Sequence, residues 1–138
     1  MMFDGTIMVN GKVVFVAVAH EDPELFDGMR GIEPMDGFGM LFWFNKPKRA
    51  GMWMKDVKNS LDLAFIREDG TISQINTMPA NSTEIVESQE PVPMALEVPA
   101  GWFAKNKVSR GDVIHWIQKT EEVENGTGTS TDRGKTPS

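Results

Sequence analysis

The chain contains no cysteine, which removes a disulfide framework, a thiolate zinc site and a cysteine nucleophile from consideration. It also lacks a long hydrophobic run. The longest apolar stretch, Val13 to Ala19, falls far short of the ~20 residues a helix needs to cross a bilayer. A secretory leader needs a basic flank and then an apolar run, whereas the chain starts Met1-Met2-Phe3-Asp4-Gly5. No leader is read there, and a soluble, cytoplasmic protein is expected. Positive charge is in deficit: 14 Lys and Arg against 20 Asp and Glu give a net charge of −6. That balance opposes the counterion release that drives nucleic-acid binding, unless basic residues are segregated on one face. The one cluster on offer, Lys46, Lys48 and Arg49 beside Lys55 and Lys58, reads as solvated loop charge, so nucleic acid is disfavoured as a partner.

Catalytic signatures are equally scarce. There are two histidines, His20 and His115, and neither belongs to a closely spaced ligand pair, so no metal site and no cofactor are expected. Gly37-Phe38-Gly39 lacks the third glycine and the following helix of a phosphate cradle. Ser60 and Ser82 lack the Gly-x-Ser-x-Gly context of an exposed nucleophile.

What is present is a β pattern. Thr6 to Val9 and Lys12 to Val18 flank Asn10-Gly11, the pair that tolerates the positive φ angles of a type I′ turn, so a hairpin is expected. The second run is apolar on both alternating faces, the mark of a central strand. Asp22 as a cap, Pro23 in the first turn and Gly31 as a stop predict one short helix near residues 23–30. Met40-Leu41-Phe42-Trp43-Phe44 and Met52-Trp53-Met54 predict two further strands around a polar loop. Leu61 to Ile66 and Thr71 to Met78 predict a second hairpin through Glu68-Asp69-Gly70. Residues 79–93 carry three prolines and few core candidates, which predicts a long surface loop. Met94 to Val98 and Val113 to Ile117 complete the strands, with a turn of helix around Trp102 to Ala104 between them.

The expected fold is therefore mainly β, α+β at most: a small, partly open β barrel of about seven to eight short strands with one short helix near residues 23–30. At 138 residues one domain is the default, and it can bury roughly two-thirds of the surface its unfolded chain exposes. Residues 1–119 form that single globular β domain. Residues 120–138, rich in Gly, Thr and Ser, hold too few apolar groups to offset the entropy of ordering and are expected to be a disordered polar tail.

Several motifs taken in order resemble the domain of unknown function 192 family. They are Gly28-Met29-Arg30, Gly39-Met40-Leu41-Phe42-Trp43-Phe44, Trp53-Met54-Lys55-Asp56, Leu61-Asp62-Leu63-Ala64-Phe65-Ile66 with Asp69-Gly70, Leu96-Glu97-Val98-Pro99-Ala100-Gly101, and Gly111-Asp112. The resemblance covers about 70% of the chain, from Val16 to Ile114. It implies a small, partly barrel-like β fold, of a kind often exported or lipid-anchored, and it carries no activity. The family pattern places a Leu between the Gly and Met of the first motif and Ile-Pro before the Leu-Asp of the fourth. Here Gly28 meets Met29 directly and Asn59-Ser60 precedes Leu61.

The candidate ligand-binding residues are Trp53, Lys55, Asp62, Glu97 and Asp112. If the strand of Trp53 pairs with that of Asp62, alternation brings Trp53, Lys55 and Asp62 to a polar rim with an aromatic wall. The plainer reading is a rim ion pair of Lys55 and Asp62 above a packed Trp53. Glu97 points away from Met94, Leu96 and Val98, which predicts a solvated or ion-paired carboxylate. Asp112 after Gly111 fits a turn former. His115 shares a face with Val113 and Ile117, which predicts a core histidine. With no catalytic constellation in sight, a noncatalytic binding or interaction module is expected, its rim and the 79–93 loop engaging a small-molecule ligand or partner protein. The alternatives are a small hydrolase or metal-assisted enzyme using Asp62, Glu97 or Asp112, and a virus-borne or accessory modulator of a host protein.

Overall fold

Asn10 and Gly11 adopt φ angles of 51° and 77°, as a type I′ turn requires, and they join β1 (Gly5–Val9) to β2 (Lys12–His20) in the expected hairpin. A computed structural model of the chain describes residues 5–20, 25–27 and 35–117. The remaining strands are β3 (Leu25–Asp27), β4 (Phe38–Lys48), β5 (Gly51–Trp53), β6 (Leu61–Ile66), β7 (Ile72–Met78), β8 (Val86–Glu87), β9 (Val92–Pro99) and β10 (Ile114–Ile117). One four-residue helix, α1 (Trp102–Lys105), lies between β9 and β10 and buries Trp102 and Phe103.

Seven strands form one curled sheet in the order β10-β1-β2-β4-β9-β6-β7, antiparallel throughout except for the parallel pair β2 and β4. The concave face gathers Ile7, Val14, Val16, Leu41, Leu96 and Val98, with α1 and Val108 packed among them. The opposite face of β4, β9 and β6 presents Phe42, Phe44, Leu61, Leu63, Phe65 and Ala95. A second, three-stranded sheet in the order β3-β5-β8 belongs to that side, where Met52, Met54 and Val57 join the outer layer. This explains why β6 is buried at every position and why Met40 to Phe44 is apolar on both faces: these strands run between two cores.

The outermost strands, β10 and β7, meet at one end only. Ile114 N–H donates to the Gly70 carbonyl and Ile72 N–H to the Asp112 carbonyl, both at 2.8 Å, around a lone bridge between Thr71 and Val113. The Gly111 N–H adds a bond to the Ile72 carbonyl at 2.9 Å, and among the described residues no further backbone bond joins the two edges, so the barrel is partly open, as the strand pattern predicted.

Two expectations change. The helix predicted near residues 23–30 gives way to strand at Leu25–Asp27, which pairs in parallel with Gly51–Trp53. A cap and a first-turn proline supply about 1 kcal/mol locally, less than a ladder in a second sheet can supply. The rest of that segment lies outside the described residues, as does the predicted tail. The 79–93 segment is more ordered than a surface loop: Val86–Glu87 completes the small sheet against β5, and Val92 already belongs to β9. Ser88, buried, donates its N–H to the Ala50 carbonyl and its hydroxyl to that of Glu90.

Candidate functional site

Asp62 is buried on β6 and accepts two hydrogen bonds at 2.9 Å, from the Thr77 hydroxyl and from the Gly101 N–H. Gly101 sits at φ 90°, at the start of α1. The carboxylate therefore ties β6 to β7 and to the β9–α1 turn. Asp112 accepts the Ser109 N–H at 2.9 Å and closes its own turn, the role its position after Gly111 suggested.

Glu97 departs from the expectation of a solvated or paired carboxylate. It is 0% exposed, and neither side-chain oxygen has a hydrogen-bond partner among the described residues. Its register partners are Met40 on β4 and Leu63 on β6, which places it in the layer between the two sheets. Alternation along β9 correctly put Glu97 opposite Leu96 and Val98, but the second sheet covers the face that a single-layer reading leaves to water. Burial disfavours the charged form and pushes its pKa up to about 8.

Trp53 and Lys55 do stand together, the Lys55 ammonium 5.7 Å from the Trp53 ring centroid in a cation–π contact. They do not meet Asp62. The strand of Trp53 pairs with β3 and β8, not with β6. Asp62 is opposite Val98, a residue of the concave core, while Met52 beside Trp53 belongs to the outer layer. By the same alternation Asp62 and Glu97 project from opposite faces of the large sheet. The five candidates thus occupy four separate places.

The structure instead brings together residues that sequence reasoning did not join. Two adjoining cavities of about 300 and 340 Å³ open on the concave side, and both are lined by Trp43 and Trp116. Trp43 comes from β4 and Trp116 from β10, yet the curl of the sheet sets their ring centroids 6.2 Å apart at 34°. His20 extends the aromatic row, 6.4 Å from Trp43. Leu41, Ile66 and Met94 form an apolar floor, and Glu68, Asp69 and His115 supply the polar part of the lining. Trp116 is 47% exposed. Gly5 makes room for it, since a Cβ there would lie 2.7 Å from the indole ring.

His115 is exposed and not part of a core, because β10 is the outermost strand and His115 is opposite Met8, not opposite a core residue. Among the described residues no three His, Asp or Glu side chains cluster as metal ligands. No helix among them is long and apolar enough to cross a membrane. The sequence signal for the cleft was weak: Trp43 read as one more apolar residue in a central strand, and only the strand order brings it to Trp116.

Comparison with known proteins agrees with this architecture. Residues 5–116 match the family of domain of unknown function 192, described as an uncharacterised ACR, and the chain belongs to that family. A crystal structure from Sinorhizobium meliloti 1021, of a protein described as a proposed transcription regulator, is similar with a TM-score of 0.73 and 30% identity. That match covers 84% of this chain and 96% of the other. A protein of unknown function from Novosphingobium aromaticivorans DSM 12444 shares the fold with a TM-score of 0.73 at 23% identity, over 80% of this chain and 84% of its own. None of the curated proteins matches the chain significantly.

Proposed function

We propose that this domain is a noncatalytic binding module that holds a small ligand in the cleft lined by Trp43 and Trp116. One observation carries the reading: two adjoining cavities, each within the size range of small-molecule sites, share an aromatic wall on a rigid β scaffold. Aromatic side chains supply large contact area at low entropic cost, and Glu68, Asp69 and His115 in one cavity and His20 in the other add polar groups to the lining.

The hydrolase alternative finds less support. Acid and base work needs two carboxyl groups within reach of one substrate, whereas Asp62 and Glu97 face opposite sides of a sheet and Asp112 is spent on a turn. The similarity to a proposed transcription regulator suggests a regulatory setting. With a net charge of −6, such a role for this chain would run through a ligand or a partner protein and not through direct contact with DNA.

The test is titration of the full chain with indole, a neutral aromatic probe, followed by NMR of the tryptophan side-chain N–H signals. The signals of Trp43 and Trp116 are expected to shift, that of Trp53 to stay, and binding to be lost in Trp116→Ala at unchanged melting temperature. A flat titration at Trp43 and Trp116 in the folded protein would reject the reading.

A further inference from the structure

We propose that the cleft is selective for organic cations: ligands that join a flat apolar body to a protonated amine. This deepens the binding reading and rests on it. The first argument is the aromatic wall. The faces of Trp43 and Trp116 carry the negative part of the ring quadrupole, which attracts a cation and does nothing for an anion.

The second is the acidic part of the lining. The turn from β6 to β7 places Glu68 and Asp69 at the cavity that the two indoles line. Asp69 accepts the Thr71 N–H at 2.9 Å, and that bond holds its carboxyl below the usual range, so it stays ionised at neutral pH. Glu68 is exposed and makes no ion pair among the described residues.

The third is that, among the described residues, neither cavity is lined by a lysine or an arginine to compensate that charge. Arg67, next to Glu68 in sequence, directs its guanidinium to Glu90 in a two-pronged contact of 2.8 and 3.2 Å. An anionic ligand would meet two carboxylates and a chain of net charge −6, and a neutral one would leave both carboxylates unused. A protonated amine satisfies both parts of the lining at once, with its flat body against the indoles and its ammonium towards Glu68 and Asp69. Because opposite charges are arranged across an open cleft, the preference is electrostatic and weakens as salt rises.

Three probes that share an indole and differ in charge test the idea: tryptamine, tryptophol and indole-3-propionate, titrated into the full chain by calorimetry. The titrations are run at a pH of about 8, where a primary alkylamine remains charged. Tryptamine is expected to bind roughly tenfold more tightly than tryptophol, with indole-3-propionate weakest and the margin shrinking at high salt. Glu68→Lys is expected to erase the margin without lowering the melting temperature, since Glu68 is exposed and makes no ion pair among the described residues. Asp69 is left intact because it also fixes its turn. Equal affinity of tryptamine and tryptophol, or a margin that survives Glu68→Lys, overturns the selectivity and leaves the cleft as a binding site. Failure of all three probes to bind overturns the selectivity and the binding reading together.

Discussion

Glu97 is the residue at which burial and charge conflict most sharply. Its carboxyl is fully enclosed beside Met40 and Leu63, and its pKa of about 8 means that the folded state holds a proton the unfolded state releases near pH 4.5. The folded form therefore binds more protons than the unfolded form between those values, and stability falls as pH rises through that window. Stability from this group is complete below about pH 4.5 and is lost by the time pH passes about 8. Glu97→Gln is expected to flatten that decline in urea titrations repeated from pH 5 to pH 8. Glu97→Met is expected to raise the melting temperature at pH 8, because it removes a buried polar group with no described partner. Asp62 is the opposite case, a buried carboxylate with two donors. Asp62→Ala leaves the Thr77 hydroxyl and the Gly101 N–H unmatched and is expected to cost about 2–3 kcal/mol in chemical denaturation. Asp112→Ala, at an exposed turn, is expected to cost less than about 1 kcal/mol.

Among the elements, β4 and β9 are the most demanding because they carry a core on each face. Gly39 shows how closely they approach: a Cβ there would lie 2.6 Å from the Glu97 carbonyl oxygen and 3.1 Å from a Val98 methyl. The first obstacle is backbone in a paired strand and cannot step aside. Gly39→Ala is accordingly expected to lower stability by about 1–3 kcal/mol, read from the denaturation midpoint. Gly5 is a milder case, since its obstacle is a side chain and not backbone, the rim of the half-exposed Trp116 ring. Gly5→Ala is expected to leave the melting temperature within a few degrees of the parent while weakening indole binding severalfold, because the ring that forms one wall is displaced. The two hairpins need less explanation. Asn10, Gly11 and Gly70 hold the positive φ angles their turns require, and the Asn10 side chain also donates to the Asn106 and Lys107 carbonyls, pinning the first turn to the end of α1.

At the scale of the whole molecule, two apolar layers share strands β4, β9 and β6, so damage to one is transmitted to the other through the same backbone. Residues 121–138 hold Val123 as their one large apolar residue, a composition expected to add nothing to either layer. Removing them is expected to leave both the melting temperature and probe binding unchanged, which scanning calorimetry and the indole titration would check together. The open seam between β10 and β7 is the price of the fold's cleft: a barrel closed along its full length would bring more strand pairing and leave less room beside Trp116.

Local chemistry sufficed for much of the fold. The Asn10-Gly11 turn, the alternation of Leu61, Leu63 and Phe65, the turn of helix at Trp102 and the partly open barrel all follow from periods and turn residues that act over a few positions. The ordered family motifs resolved the same way, because they are themselves sequence. Only the tertiary structure decided which strands are neighbours. It seated β5 between β3 and β8, separating Trp53 and Lys55 from Asp62. It turned residues 25–27 into strand, and it buried Glu97 under a second sheet. It also set Trp116 against Trp43 through the curl of the intervening strands. The reason is physical: alternation states which face a side chain takes, while what lies across that face depends on pairings between segments far apart in the chain, and no local period encodes them.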